Sequence, residues 1–218
     1  MDLGSLSSIR SSLSSLPKNL EFDVIVHNAG VASSVGTTDS GVEVNFGVNY
    51  LGTWLFSGLV KGRLRPGGRV VFVGSRAHSR SRGNFEFPNL DKGGSWWGGM
   101  KRYQDSKLAA MMAWRDLAGE FEGGGEGKIA VAVHPGVVRT GIWRGLPEWF
   151  NKVAGWFMIN VEEGAGHIME AALGEGVRNG GYYKEGVEAR CNFRVEEEWR
   201  RRELREWAEG IVGGMKSQ

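Results

Sequence analysis

The segment Tyr103-Gln104-Asp105-Ser106-Lys107 places a phenol and an ammonium four positions apart. On an α-helix that spacing stacks the two side chains on one face, about 6 Å apart along the axis. A cation beside a phenol favours the phenolate, so the Tyr103 pKa is expected to fall from its ordinary value of about 10 toward one usable near neutrality. Tyr103 is thereby a candidate to give and take a proton, with Lys107 as the charge that tunes it. Taken alone, the pair reads equally well as a surface contact in which the ring lies along the lysine stem.

Such chemistry needs a scaffold, and three short apolar, β-branched runs provide candidates: Phe22 to Val26, Arg69 to Val73 and Ile129 to Val133. Each is too short for a helix and is expected as a buried strand. Between the first two, Val44, Val48, Leu51, Leu55 and Leu59 recur at three- and four-residue spacing within Val42 to Leu64, the pattern of a helix packed on a sheet, ended by Pro66, Gly67 and Gly68. A second helix is expected from Tyr103 to Phe121, with Leu108, Met111, Met112 and Leu117 inward, followed by a Gly-rich loop at Gly123 to Gly127. Glu162 to Leu173 reads as a third helix, Gly181 to Lys184 as a short last strand and Glu196 to Val212 as a charged terminal helix. Alternating strands and helices imply an α/β fold, a Rossmann-like parallel sheet flanked by helices, within one domain spanning 1–218.

In that architecture ligands bind in the crevice at the carboxyl ends of the strands. His27-Asn28-Ala29-Gly30 follows the first strand, Val73-Gly74-Ser75 ends the second, and His134-Pro135-Gly136-Val137-Val138-Arg139-Thr140 follows the third. Singly these have plain structural readings: a turn at Asn28 and Gly30, a buried helix amide at Asn49, a helix cap at Ser75, a loop breaker at Pro135-Gly136.

Taken in order, the motifs resemble the short-chain dehydrogenase/reductase family, whose Asn-Ala-Gly, strand-end Ser, Tyr-x-x-x-Lys and Pro-Gly motifs occur in this succession. The resemblance is greatest to its retinol-dehydrogenase-like branch, which includes the oxidoreductase domain of WW-domain oxidoreductases, and covers nearly the whole chain. Asp2-Leu3, Ser5-Leu6, Ser8-Ile9-Arg10, Asp39-Ser40-Gly41-Val42-Glu43, Val48-Asn49-Tyr50-Leu51-Gly52, Ser75-Arg76-Ala77-His78 and Glu162-Glu163-Gly164-Ala165 carry it, as does the long insert between Ser75 and Tyr103. It implies a catalytic set of Asn49, Ser75, Tyr103 and Lys107. Tyr103 is the implied general acid/base. Lys107 would lower its pKa and bind the nicotinamide ribose, Ser75 would hold the substrate oxygen, and Asn49 would bind a water of the proton relay. The implied cofactor is NADP or NAD, with the resemblance leaning to NADP. Asp2 would meet its adenine, while Asn28, Ala29 and Gly30 together with Tyr103 and Lys107 would line it, and Pro135, Gly136 and Thr140 would flank the nicotinamide.

The resemblance also implies a mobile substrate lid over 143–160, where Trp143, Leu146, Trp149, Phe150, Trp156, Phe157 and Met158 suit an apolar alcohol or carbonyl substrate. Core packing or subunit contact is an equal reading for any one of these aromatics. The stretch before Phe22 carries none of the Gly-rich turn on which such folds seat a diphosphate, and Leu3 to Leu16 fits the helix preceding that strand. The expectation is therefore an N-terminally truncated domain whose first two strand–helix units, on the order of 60 residues, are missing, which would weaken cofactor binding and leave the first strand at an unpaired edge. A catalytically inactive remnant that acts as a protein-interaction module is the competing expectation.

Bulk properties exclude other classes. With 27 basic against 25 acidic residues the balance gives no sign of a nucleic-acid partner, and the mixed Arg and Glu of Arg194 to Arg205 read as a solvated helix face. The single Cys191 makes no internal disulfide and implies a reducing compartment, and no residue cluster calls for a metal; His27 and His78 read as strand-end hydrogen-bonders. No membrane span and no signal peptide is legible, so the expected location is cytoplasmic, or membrane-associated through a missing N-terminal anchor. A homo-oligomer is compatible with all of this.

Overall fold

The computed structural model describes residues 1–32, 35–85, 87, 96–136 and 159–214, with the side chains of 96 and 97 excepted. Helix α1 (Leu6–Ser14) is capped by Ser5, whose hydroxyl accepts from the Ser8 amide, and is followed by strand β1 (Phe22–His27). A helical run of four parts comes next: α2 (Val44–Phe46), a π-helical segment (Gly47–Gly52), α3 (Thr53–Val60) and a 3-10 turn (Lys61–Arg63). Strand β2 (Leu64–Val73) leads into a 3-10 turn (Arg76–Arg80), and the long α4 (Trp96–Glu122) into β3 (Ile129–His134). Helix α5 (Val161–Leu173), strands β4 (Tyr182–Lys184) and β5 (Val187–Glu188), a 3-10 turn (Phe193–Glu196) and α6 (Glu198–Gly214) complete the order.

The five strands form one sheet in the order β1-β2-β3-β4-β5. Pairs β1/β2, β2/β3 and β3/β4 are parallel, whereas β4/β5 is antiparallel. The sheet is therefore mixed, and the purely parallel expectation is corrected at this edge: Glu185 and Gly186, both at positive φ, turn the chain back in a two-residue hairpin that an alternation of strands and helices does not reveal. Strand β2 also begins five residues before the expected Arg69, running through Pro66-Gly67-Gly68 with a register shift against β1 between Phe22 and Val24. Gly68 is needed there, because a Cβ would lie 2.9 Å from the Arg65 carbonyl oxygen and 3.0 Å from that of Asp23.

Side chains alternate across the sheet. Ile25, Val70, Phe72, Ala130, Ala132 and Tyr182 face the larger core, built with Leu6, Ile9 and Leu13 of α1, Leu55 of α3, Leu108, Met111 and Met112 of α4, and Leu204 of α6. Val71, Val131 and Val133 face Ala171 and Ala172 of α5. At the edge strand β1, Val26 on that second face is 41% exposed. The strand ends on the α4 side are thus walled by helices, so a side chain placed there is buried yet lies at the mouth of the crevice.

Helix α6 is tied down by three kinds of contact. The Tyr50 hydroxyl donates to the Leu204 carbonyl (3.1 Å), Trp207 stacks on Phe87 at 5.2 Å between centroids, and Asp116 accepts from Arg201 and Arg205 at 2.7 Å each. The expected solvated face of this helix is therefore partly a docking face, because Asp116 on α4 supplies the opposite charge at the buried side.

Candidate active site

Tyr103 and Lys107 lie on α4 as the four-residue spacing requires, and both are buried. The Tyr103 phenol lies beside the Ser75 hydroxyl, which favours its phenolate form. Ser75 sits at the carboxyl end of β2 and caps the following 3-10 turn, its Oγ accepting from the Ala77 amide at 3.2 Å. The Lys107 Nζ donates to the Val73 carbonyl at 3.4 Å, one strand position before Gly74. One helix face thus delivers phenol and ammonium to the same strand end.

Asn49 joins them through the π-helical segment. Its Oδ1 accepts from the Val31 amide (2.9 Å), and its Nδ2 donates to the Val31 carbonyl (2.8 Å) and to Ser106 Oγ (3.0 Å). Ser106 in turn donates to the Tyr103 carbonyl at 2.9 Å. A π segment inside an α-helical run is rare and recurs at functional sites; here it lets a helix amide reach both the loop after β1 and helix α4.

Gly30 closes the group from the β1 side. A Cβ at this position would lie 2.8 Å from Asn49 Oδ1 and 3.4 Å from Lys107 Nζ. Gly30→Ala is therefore expected to push the Asn49 amide off its Val31 bonds and to lower stability by about 1–3 kcal/mol, read by denaturant unfolding; an unchanged midpoint would count against this contact.

The remaining expected residues are distributed as follows. Asn28 and Ala29 are exposed at the end of β1, and Pro135 and Gly136 are buried at the end of β3. Gly136 has φ +101°, and a Cβ there would meet Ile159 Cδ1 at 2.6 Å, so the chain returning at 159 packs directly on it. Asp2 is exposed beside α1, its Oδ1 accepting from the Gly4 amide at 2.8 Å, and no hydrogen bond joins it to the Tyr103 group among the described residues. Thr140 and the aromatic residues from Trp143 to Met158 lie outside the described residues.

Electrostatics corrects one expectation. The Tyr103 pKa is raised rather than lowered, because burial disfavours the phenolate more than the neighbouring Ser75 hydroxyl favours it. Burial acts on Lys107 in the opposite sense, bringing its pKa down to about 8. The spacing argument supplied the cation's proximity along the helix but not the desolvation that both groups share.

No family model matches the chain. Dehydrogenase/reductase SDR family member 13 of Bos taurus is 34% identical over 189 residues, covering 81% of the chain and 48% of that protein. Retinol dehydrogenase 14 of Mus musculus is 33% identical over 230 residues, covering 99% of the chain and 67% of that protein. The chain belongs to the short-chain dehydrogenase/reductase family. It spans about half the length of the first of these relatives, 48%. A short chain dehydrogenase from Burkholderia cenocepacia, solved in complex with NADP, shares the fold at a TM-score of 0.62 and 20% identity, over 85% of this chain and 74% of that one.

Within this short-chain dehydrogenase/reductase two participants escaped the sequence reading as anything more than motif neighbours. Ser106 bridges Asn49 and Tyr103, and its place directly before Lys107 was the available signal. His134, directly before Pro135, is buried with neither ring nitrogen hydrogen-bonded among the described residues, and its pKa is brought down to about 4 by burial first, then by nearby His78, Lys184, Arg76 and His167. A neutral imidazole with two unsatisfied nitrogens is uncommon in a protein interior, and no sequence pattern distinguishes it from an ordinary buried histidine.

Among the described residues no helix is long and apolar enough to cross a membrane.

Proposed function

We propose that this chain carries the catalytic portion of an NAD(P)-dependent oxidoreductase that interconverts an apolar primary or secondary alcohol and its carbonyl compound by hydride transfer. The observation that carries the proposal is the convergence of the Tyr103 phenol on the Ser75 hydroxyl at the carboxyl end of β2, with the buried Lys107 ammonium one turn along the same helix.

A substrate oxygen placed between the Ser75 hydroxyl and the Tyr103 phenol would receive two hydrogen bonds as negative charge grows on it. With its pKa raised, Tyr103 rests protonated at neutral pH and is set to donate to that oxygen as a carbonyl is reduced. In the oxidation direction it must first lose its proton, so turnover should rise with pH.

The bound nicotinamide supplies or accepts the hydride. The residues fit such a group: Lys107 is a buried ammonium, a triple donor, whose one hydrogen-bond acceptor among the described residues is the Val73 carbonyl at 3.4 Å. A ribose hydroxyl would satisfy it further. Asn28, Ala29 and Gly30 from β1, with Pro135, Gly136 and Thr140 after β3, would hold the cofactor on either side, and Asp2 its adenine end. Both amide protons of Asn49 are committed to Val31 and Ser106, which leaves oxygen lone pairs of Asn49 to hold a relay water. The aromatic stretch within 143–160 would close over an apolar substrate. NADP is favoured because relatives of this fold are solved with it.

Calorimetry with NADPH and NADH, followed by turnover of a long-chain primary alcohol, tests the proposal on this chain. Binding of at least one cofactor with turnover is the expected result. Binding of neither, with a stable complex to another protein instead, would overturn it in favour of an interaction module.

A further inference from the structure

We propose that His78 is a positioning residue for Ser75, held in register by Cys191 and Asn192 from the far end of the chain. The inference rests on the dehydrogenase reading above and adds to it a residue outside the Asn-Ser-Tyr-Lys set.

His78 lies three residues after Ser75, in the 3-10 turn that Ser75 caps, and is 2% exposed. The Ser75 carbonyl accepts twice from it, from the His78 amide at 3.1 Å and from ring Nδ1 at 2.5 Å. A carbonyl is only an acceptor, so Nδ1 carries the ring proton and Nε2 presents a lone pair. That lone pair faces Cys191 Sγ at 3.4 Å. Burial pushes the Cys191 thiol up to about 12, so the sulfur keeps its proton and is the hydrogen-bond donor to the ring. The chain of bonds is therefore consistent in direction from Cys191 through His78 to the Ser75 carbonyl, and no atom in it needs a charge.

Two further contacts fix the ring and its turn. Tyr182 of β4 meets the imidazole edge to face, with centroids 5.5 Å apart. The Asn192 side-chain amide donates to the carbonyls of His78 (3.0 Å) and Ser81 (3.2 Å), bridging the middle of the turn and its C-terminal end. Ser75 is consequently gripped twice: its hydroxyl accepts from the Ala77 amide, and its carbonyl is taken by the His78 ring. Rotation of the Ser75 backbone would carry Oγ away from the Tyr103 phenol. A packing role alone would accept any side chain of similar size at 78; this geometry needs a donor at the Nδ1 position.

The test compares His78→Leu, which fills the site without a donor, with His78→Asn, whose amide can donate from the position of Nδ1. In steady-state oxidation of a long-chain primary alcohol, His78→Leu is expected to lower kcat about tenfold while the KM for the nicotinamide stays within roughly twofold. The pH limb that reports Tyr103 should move upward, since a displaced Ser75 no longer holds the phenol down. His78→Asn is expected to recover most of kcat and return the limb. Should His78→Leu fail to fold, Asn192→Ala decides in its place, with a smaller fall in kcat and the same upward movement of the limb. Equal behaviour of the Leu and Asn variants, or an unmoved limb in an active His78→Leu or Asn192→Ala protein, overturns the inference. A wild-type protein without turnover, or a Tyr103→Phe variant that keeps it, overturns instead the dehydrogenase reading on which the inference rests.

Discussion

Tyr103→Phe is expected to reduce kcat by two to four orders of magnitude while leaving the fold and the affinity for nicotinamide almost unchanged. The change removes one oxygen from a ring that is 4% exposed, so the packing of α4 against the 3-10 turn after β2 is preserved. What is lost is the phenol's contact with the Ser75 hydroxyl, at a cost of about 1 kcal/mol in stability, and the only phenolic proton in the group that Ser75, Asn49 and Lys107 surround among the described residues. Under the proposed function catalysis should suffer far more than stability, because a proton would have to pass to or from the substrate oxygen as the hydride moves, and a phenyl ring can do neither. The measurement is single-turnover and steady-state kinetics alongside calorimetric cofactor titration. A Phe variant retaining more than about a tenth of kcat would assign the proton to another group.

Lys107→Met should separate stability from activity in the opposite way. The ammonium is buried, and its pKa is brought down to about 8 from the ordinary 10.5. A lysine whose folded pKa lies below its unfolded one binds its proton more weakly in the native state, so stability rises with pH between about 8 and 10.5 and the penalty is fully present below 8. The difference corresponds to about 3 kcal/mol at pH 7. Met fills a similar volume without the charge, so the variant is expected to be more stable than wild type at pH 7 by about 1–3 kcal/mol. That advantage should shrink as pH climbs through 10. Turnover should nevertheless fall at least about a hundredfold, since the variant has no donor for the ribose and no charge beside the phenol. Denaturant unfolding at pH 7 and at pH 10, with kcat measured on the same samples, checks both halves. A Met variant that is less stable at pH 7 would mean the ammonium is better solvated than its burial implies.

These expectations join stability to function through one cause. Desolvation raises the phenol and lowers the ammonium, so each group is held near the protonation state that is cheaper to bury. Burying two ionisable groups side by side carries a cost, and the rest of the core compensates, from Leu6 and Ile9 to Leu204.

Much of this was legible in the residues alone. Strands Phe22–His27 and Ile129–His134, and helices Val161–Leu173 and Glu198–Gly214, fall within one or two residues of their sequence patterns, because burial against a neighbour leaves a period of two or of about 3.6 in the chain. The pairing of Tyr103 with Lys107 follows from helical geometry, and their meeting with Ser75 from the rule that strand ends line the crevice. The β5 hairpin, the π segment around Asn49 and the early start of β2 were not legible. The last two depend on partners elsewhere in the chain, Val31 and Ser106 for Asn49 and Asp23 on β1 for the glycines of β2, whereas the β5 hairpin is local but, at two residues, too short to leave a period in the chain.

The sequence by itself determined the family, the order of most strands and helices, and that Tyr103 and Lys107 share one helix face. Only the tertiary structure decided how those side chains are tuned. The sign of the Tyr103 shift, the orphaned nitrogens of His134 and the bond from His78 to the Ser75 carbonyl all arise from what lies across space. Local spacing fixes which face of a helix a group occupies, but its solvation and hydrogen-bond partners are supplied by segments far away in the chain, as by Cys191, 113 residues from His78.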